Sequence, residues 1–88
     1  MRIDKLLWYL RFARSRSAAQ AMAQTGYIRH NGKRVDKAHQ RISIGDVLTL
    51  PLQRKVLVVE LLALPDRRGP APEAQSCYRV LDETISSP

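Results

Sequence analysis

Cysteine is nearly absent from this 88-residue chain. Cys77 stands alone, so no internal disulfide can form, and no Cys/His pattern has the spacing of a zinc site. Stability must come from an apolar core, which at this length buries roughly 60% of the surface the unfolded chain exposes. Long hydrophobic runs are lacking too. The longest, VLVVELLAL from Val56 to Leu64, is broken by Glu60 and is less than half of the roughly 20 residues a bilayer-spanning helix needs. The opening MRIDKLLWYL is interrupted by Asp4 and Lys5, and no small-residue cleavage site follows, so it reads as mature structure rather than a signal peptide. No membrane association and a reducing, cytoplasmic setting are expected.

Catalytic constellations are scarce as well. His30 and His39 have no Ser or Cys nucleophile partner, no glycine-rich phosphate loop exists, and no carboxylate pair stands out. A single histidine in a strand reads as structural, and Cys77 beside Tyr78 as a small packed hydrophobe. The expectation is a protein that is not an enzyme, with no catalytic residue, no cofactor and no metal.

Charge of one sign is abundant. The chain carries 15 Lys and Arg against 8 Asp and Glu, a net +7. Residues 1–41 hold ten of the bases and only two acids, Asp4 and Asp36, whereas residues 42–88 hold five bases and six acids. Segregation of this kind is the footprint of a surface that binds a polyanion; a basic coat kept for solubility would be scattered evenly.

The pattern along the chain predicts an α+β fold. Ile3, Leu6, Leu7 and Leu10 recur at helical spacing and form one buried stripe, while Arg2, Lys5, Trp8, Tyr9 and Phe12 gather on the opposite arc. Either Ser15 or Ser17 can cap a second helix, with Ser17 and Gln20 at capping-box spacing. That helix is alanine-rich, packs through Ala19, Met22 and Ala23, and stops at Gly26. Asn31-Gly32 is a strong hairpin signal that places Arg29, Lys33 and Arg34 around one turn. A turn at Gly45 and Asp46 leads into a strand from Val47 to Leu50, ended by Pro51, whose antiparallel partner is the run from Val56. Two helices packed on a small curled antiparallel sheet result, over residues 1–64. Residues 65–88 read as a proline-rich C-terminal extension, with a short final helix through EAQSCYRVL and a frayed ETISSP tail.

Arginine suits phosphate because its planar guanidinium bonds in bidentate fashion, and every neutralised phosphate releases counterions. Arg11, Arg14 and Arg16, with the hydroxyls of Ser15 and Ser17, crowd a helix N-terminus where free N–H groups add to the anion site. Trp8 or Tyr9 can stack on a base or pack inward. Asp4 reads as a cap or an arginine partner. A helix-turn-helix would need base-reading residues on the second helix, and only Gln20 and Gln24 are there, which favours the shape and phosphates of folded RNA over duplex DNA.

The ordered set of Arg2 to Lys5 (RIDK), Arg11, Ser15 to Ala19 (SRSAA), Gly26 to Gly32 (GYIRHNG) and Gly45-Asp46 resembles the RNA-binding domain first described in ribosomal protein S-four, the alpha-L motif. DKLLWYLRF and RRGPAPEA are similar to its small ribosome-associated bacterial heat-shock branch. The resemblance implies binding to structured RNA: ribosomal RNA, and for that branch the large subunit in a heat-shock or stalled-ribosome stress response. Carried over by position, it places the RNA face on Arg2, Lys5, Arg11, Ser15, Arg16, Ser17 and Gln20, with Asn31, Gly32, Lys33 and Arg34 alongside. His30 and the Lys37-Ala38-His39 stretch depart from the family pattern, so the chain after the hairpin is expected to be irregular. A monomer with weak binding to other single- or double-stranded nucleic acid is expected. The alternative is a detached RNA-binding or regulatory module that acts through a protein partner such as an RNA-modifying enzyme; anionic membrane binding by the first helix is disfavoured by its buried stripe.

Overall fold

The computed structural model describes residues 1–85. Helix α1 covers Ile3–Tyr9, and its stripe is buried as the spacing requires: Ile3, Leu6 and Leu7 are fully buried and Leu10 nearly so. The helix ends in a Schellman arrangement, with Arg11 N–H donating to Trp8 O at 3.1 Å and Phe12 N–H to Leu7 O at 3.0 Å. This puts Arg11 at φ 68°, a position glycine usually fills. Helix α2, Arg16–Gln24, starts from Ser15, whose Oγ accepts from Ala18 N–H at 3.0 Å. Ser15 is therefore the cap. The Ser17–Gln20 capping box does not form, because the Gln20 amide is drawn to Asp4. Ala19 and Ala23 are fully buried, and their small size lets α2 lie close to α1.

Five strands follow in one antiparallel sheet, ordered β2-β1-β3-β4-β5. Strands β1 (Arg29–His30) and β2 (Lys33–Arg34) flank Asn31 at φ 52° and Gly32 at φ 82°, the two positive angles of the twist-matched hairpin turn. The stretch after β2 is irregular, as the Lys37-Ala38-His39 departure implied. Strand β3 spans Val47–Leu52 and β4 Lys55–Leu61, paired from Val47↔Glu60 to Leu52↔Lys55. Pro51 does not end β3: β1 covers only Leu48 and Thr49, so beyond them that edge of β3 is open and a missing N–H is tolerated. The inward residues Leu48, Leu50, Leu57, Val59 and Leu61 close the core against the helices.

The C-terminal part differs from expectation. The final helix, α3, is confined to Ala71–Gln75, and Tyr78–Ile85 is an eight-residue strand, β5, paired along β4 with a bulge at Val58/Val59. Tyr78 to Leu81 mixes polar and apolar residues without a clean period, so β5 is set by the open edge of β4 rather than by its own pattern. The expected frayed tail falls partly on β5 and partly on residues 86–88, outside the described residues. The return of this segment also changes the aromatics. Trp8 and Phe12 pack against the core margin, with the Phe12 and Tyr78 rings 5.1 Å apart, instead of interleaving with the bases on an open face. Arg68 Nε donates to Trp8 O at 3.0 Å and Arg11 Nη1 to Gly69 O at 3.1 Å, which ties the proline-rich stretch to the end of α1. Cys77 is buried, as its reading as a packed hydrophobe required.

Candidate nucleic-acid interface

A single buried carboxylate organises the basic corner. Asp4 sits in the first turn of α1, sealed from solvent, and accepts from Arg2 Nε at 3.1 Å, Arg2 Nη2 at 3.0 Å and the Lys5 N–H at 2.8 Å. From α2 it accepts Arg16 Nε at 3.5 Å and Gln20 Nε2 at 3.4 Å. Burial alone would push its pKa up; the hydrogen bonds from Arg2 and the Lys5 amide, with the charges of Arg16 and Arg2, outweigh it and hold the carboxyl below its ordinary value. The arginines are thus fixed without being consumed. Their side chains remain 42% and 39% exposed, and Arg16 commits only Nε–H to Asp4 among the described residues. Arg41 joins them, because it faces Arg2 across an isolated antiparallel bridge.

Beyond this cluster, Gln24 is exposed on the same face of α2, at the i, i+4, i+8 spacing from Arg16 through Gln20. At the far end, the guanidinium of Arg34 lies over Gly26, where an added Cβ would come within 2.5 Å of Nη2. The corner arginines and the hairpin bases therefore do not converge on one point. They occupy opposite ends of α2, roughly 15 Å apart at 1.5 Å per residue, and make an elongated track.

The remaining expected site residues divide clearly. Arg14 and Ser17 are exposed at the α2 N-terminus beside the capping Ser15, and Lys33 is exposed on β2. Lys5 Nζ lies 5.3 Å from the centre of the half-buried Tyr9 ring. Arg11 is exposed but turned to Gly69 at the opposite end of α1 from Asp4. Asn31 is engaged at both ends of its amide: Nδ2 donates to Asp46 Oδ1 at 3.2 Å and Oδ1 accepts Val47 N–H at 2.8 Å.

Asp46 forms a second hub, bound by His30 Nε2 at 2.6 Å and by Ser43 N–H at 2.8 Å. Burial raises its pKa, and the bonds from His30, Ser43 and Asn31 more than reverse this. His30 is accordingly structural: it locks the hairpin to the start of β3. Two surface residues escape a reading of motifs. Arg41 was legible only as one more base in the positive half, and Tyr27, 74% exposed beside the hairpin, only as the first residue of the alternating YIRH run.

The family model of the S4 domain matches residues 1–48, the segment that holds both hubs and the whole track. The chain belongs to the S4 domain family. A heat shock protein 15 homolog of Haemophilus influenzae is 34% identical over 85 residues, 97% of this chain and 64% of that protein. The small ribosomal subunit protein uS4 of Fusobacterium nucleatum is 31% identical over 70 residues, 80% of this chain and 36% of its own length. A trimeric structure of Vibrio cholerae heat shock protein 15 superposes with a TM-score of 0.85 at 36% identity, covering 91% of this chain and 80% of that one. The chain spans just under two thirds of the length of the heat shock protein homolog it matches.

Proposed function

We propose that this S4 domain chain is a non-enzymatic RNA-binding protein that grips the phosphates of a structured RNA along α2. The observation that carries the reading is the pairing of positive charge with positive charge. Arg2 stands opposite Arg41, and Arg29 directly opposite Arg34, although like charges facing each other across strands destabilise a sheet. Asp4 offsets the charge of Arg2, but Arg41, Arg29 and Arg34 have no acidic partner among the described residues, and an anionic ligand would supply one. Anchoring by Asp4 supports the same role, since arginines held in place by a buried acceptor lose less freedom on binding.

The likeness to heat shock protein 15 and to a small ribosomal subunit protein supports ribosomal RNA as the target; the large subunit, in heat stress or stalled translation, is the setting we propose for it. One chain carries the whole basic track, which supports a monomer as the binding unit. The test is affinity for ribosomal RNA fragments across a salt series. With five or six phosphate contacts, log affinity falls against log salt with a slope of about −4 to −5. A slope near zero is incompatible with the proposal. Crosslinking and sequencing of the bound RNA then identifies the target.

A further inference from the structure

The outer face of the first hairpin joins its arginines to a feature that phosphate gripping alone does not use, an exposed aromatic ring. Along this edge the chain alternates strictly. Ile28 and Val35 are buried and joined by Val35 N–H to Ile28 O at 2.9 Å, so their neighbours Tyr27, Arg29 and Arg34 all point to the opposite, solvent side. Tyr27 is 74% exposed, the most exposed aromatic among the described residues. Its backbone is nonetheless held: Tyr27 N–H donates to Thr25 Oγ1 at 3.2 Å, and that hydroxyl donates to Met22 O at 2.8 Å on the last turn of α2. The ring is thus presented from a fixed elbow. Next to it toward the hairpin turn, Arg29 and Arg34 stand directly opposite each other, and the Arg34 guanidinium rests on Gly26, the residue before Tyr27.

An exposed ring on a rigid support, next to two arginines that lack an acidic partner among the described residues, matches what an unpaired nucleotide needs. The base has a π face that stacks on a phenol, and its phosphate takes the guanidinium forks. We infer that Tyr27, Arg29 and Arg34 form a nucleotide site in which Tyr27 stacks on an unpaired base of the bound RNA while the two arginines hold the adjoining phosphate. The inference rests on the RNA-binding reading above and adds to it a preference for RNA with unpaired bases.

The test compares the full chain with Tyr27→Ala and Tyr27→Phe on two probes, an RNA stem–loop with an unpaired loop and the blunt duplex of the same stem. Tyr27→Ala should weaken stem–loop binding roughly five- to hundredfold, the range that loss of one base stack produces. Its salt slope should stay that of the parent, because no charge is removed, and duplex affinity should not change. Tyr27→Phe should bind like the parent, since the ring does the stacking. Unfolding midpoints check that all three chains fold equally well. Parent-like binding of Tyr27→Ala to the stem–loop overturns the site but leaves the RNA-binding reading intact, and so does an equal loss on both probes. A parent chain that binds neither probe overturns both.

Discussion

The carboxylate of Asp4, sealed from solvent, takes both Nε–H and Nη2–H of Arg2 at 3.1 and 3.0 Å. An acid at the heart of a basic surface is thereby what gives that surface its shape, and the consequence runs against simple charge counting. Asp4→Asn makes the chain more positive, yet RNA affinity should fall, because Arg2, Arg16 and Gln20 lose the acceptor that aims them. The same change should cost about 2 kcal/mol of stability by urea titration, less than the roughly 3–5 kcal/mol of a fully buried pair, since both arginines remain partly in water. Affinity that rises with the added charge would contradict the hub.

The two hubs also set the response to acid. Asp4 and Asp46 both lie below the ordinary value of 3.8 in the folded protein. A depressed carboxyl contributes stability that is fully present above its unfolded value and is lost as pH falls through its folded one. Stability should therefore be level with respect to these groups near neutrality and decline below about pH 4. Asp46→Asn should flatten that decline in an acid titration followed by circular dichroism; an unchanged profile in both Asp4→Asn and Asp46→Asn would exclude the hubs as its source.

At the end of α1, Arg11 occupies a left-handed position at φ 68°. Arg11→Gly should relieve about 1 kcal/mol of backbone strain and lose a hydrogen bond to Gly69 worth a similar amount, leaving stability within about 1 kcal/mol of the parent. If Arg11 contacts phosphate, affinity drops while the salt slope becomes shallower by about 1. An unchanged slope assigns Arg11 to the docking of the C-terminal segment alone.

Gly26 joins α2 to the hairpin at φ 84°, under the guanidinium of Arg34. Gly26→Ala should destabilise by about 1 kcal/mol from the backbone angle, because the clash itself is relieved by a swing of the long Arg34 side chain. That swing moves Arg34 from the position proposed to hold phosphate, so binding should weaken more than in a surface control such as Gln53→Ala.

Much of the architecture was legible because local rules and tertiary demands agree. The leucine stripe of α1, the alanine face of α2 and the Asn31-Gly32 turn each need only a few neighbouring residues to specify them. The segregated charge marked the positive half, and the S4 domain match covers the same residues. Strand β5 was not legible, since its pairing is dictated by the unsatisfied edge of β4, and with it went the true surroundings of Trp8 and Phe12.

The sequence by itself determined which elements form and which half of the molecule is positive, because helical period, turn chemistry and net charge are properties of short stretches. Only the tertiary structure decided how those charges are used. Asp4 gathers arginines from two helices, Arg34 comes to rest on Gly26, and Asn31 and His30 are spent on Asp46, because each of these contacts joins groups whose distance in space has no counterpart in their local sequence.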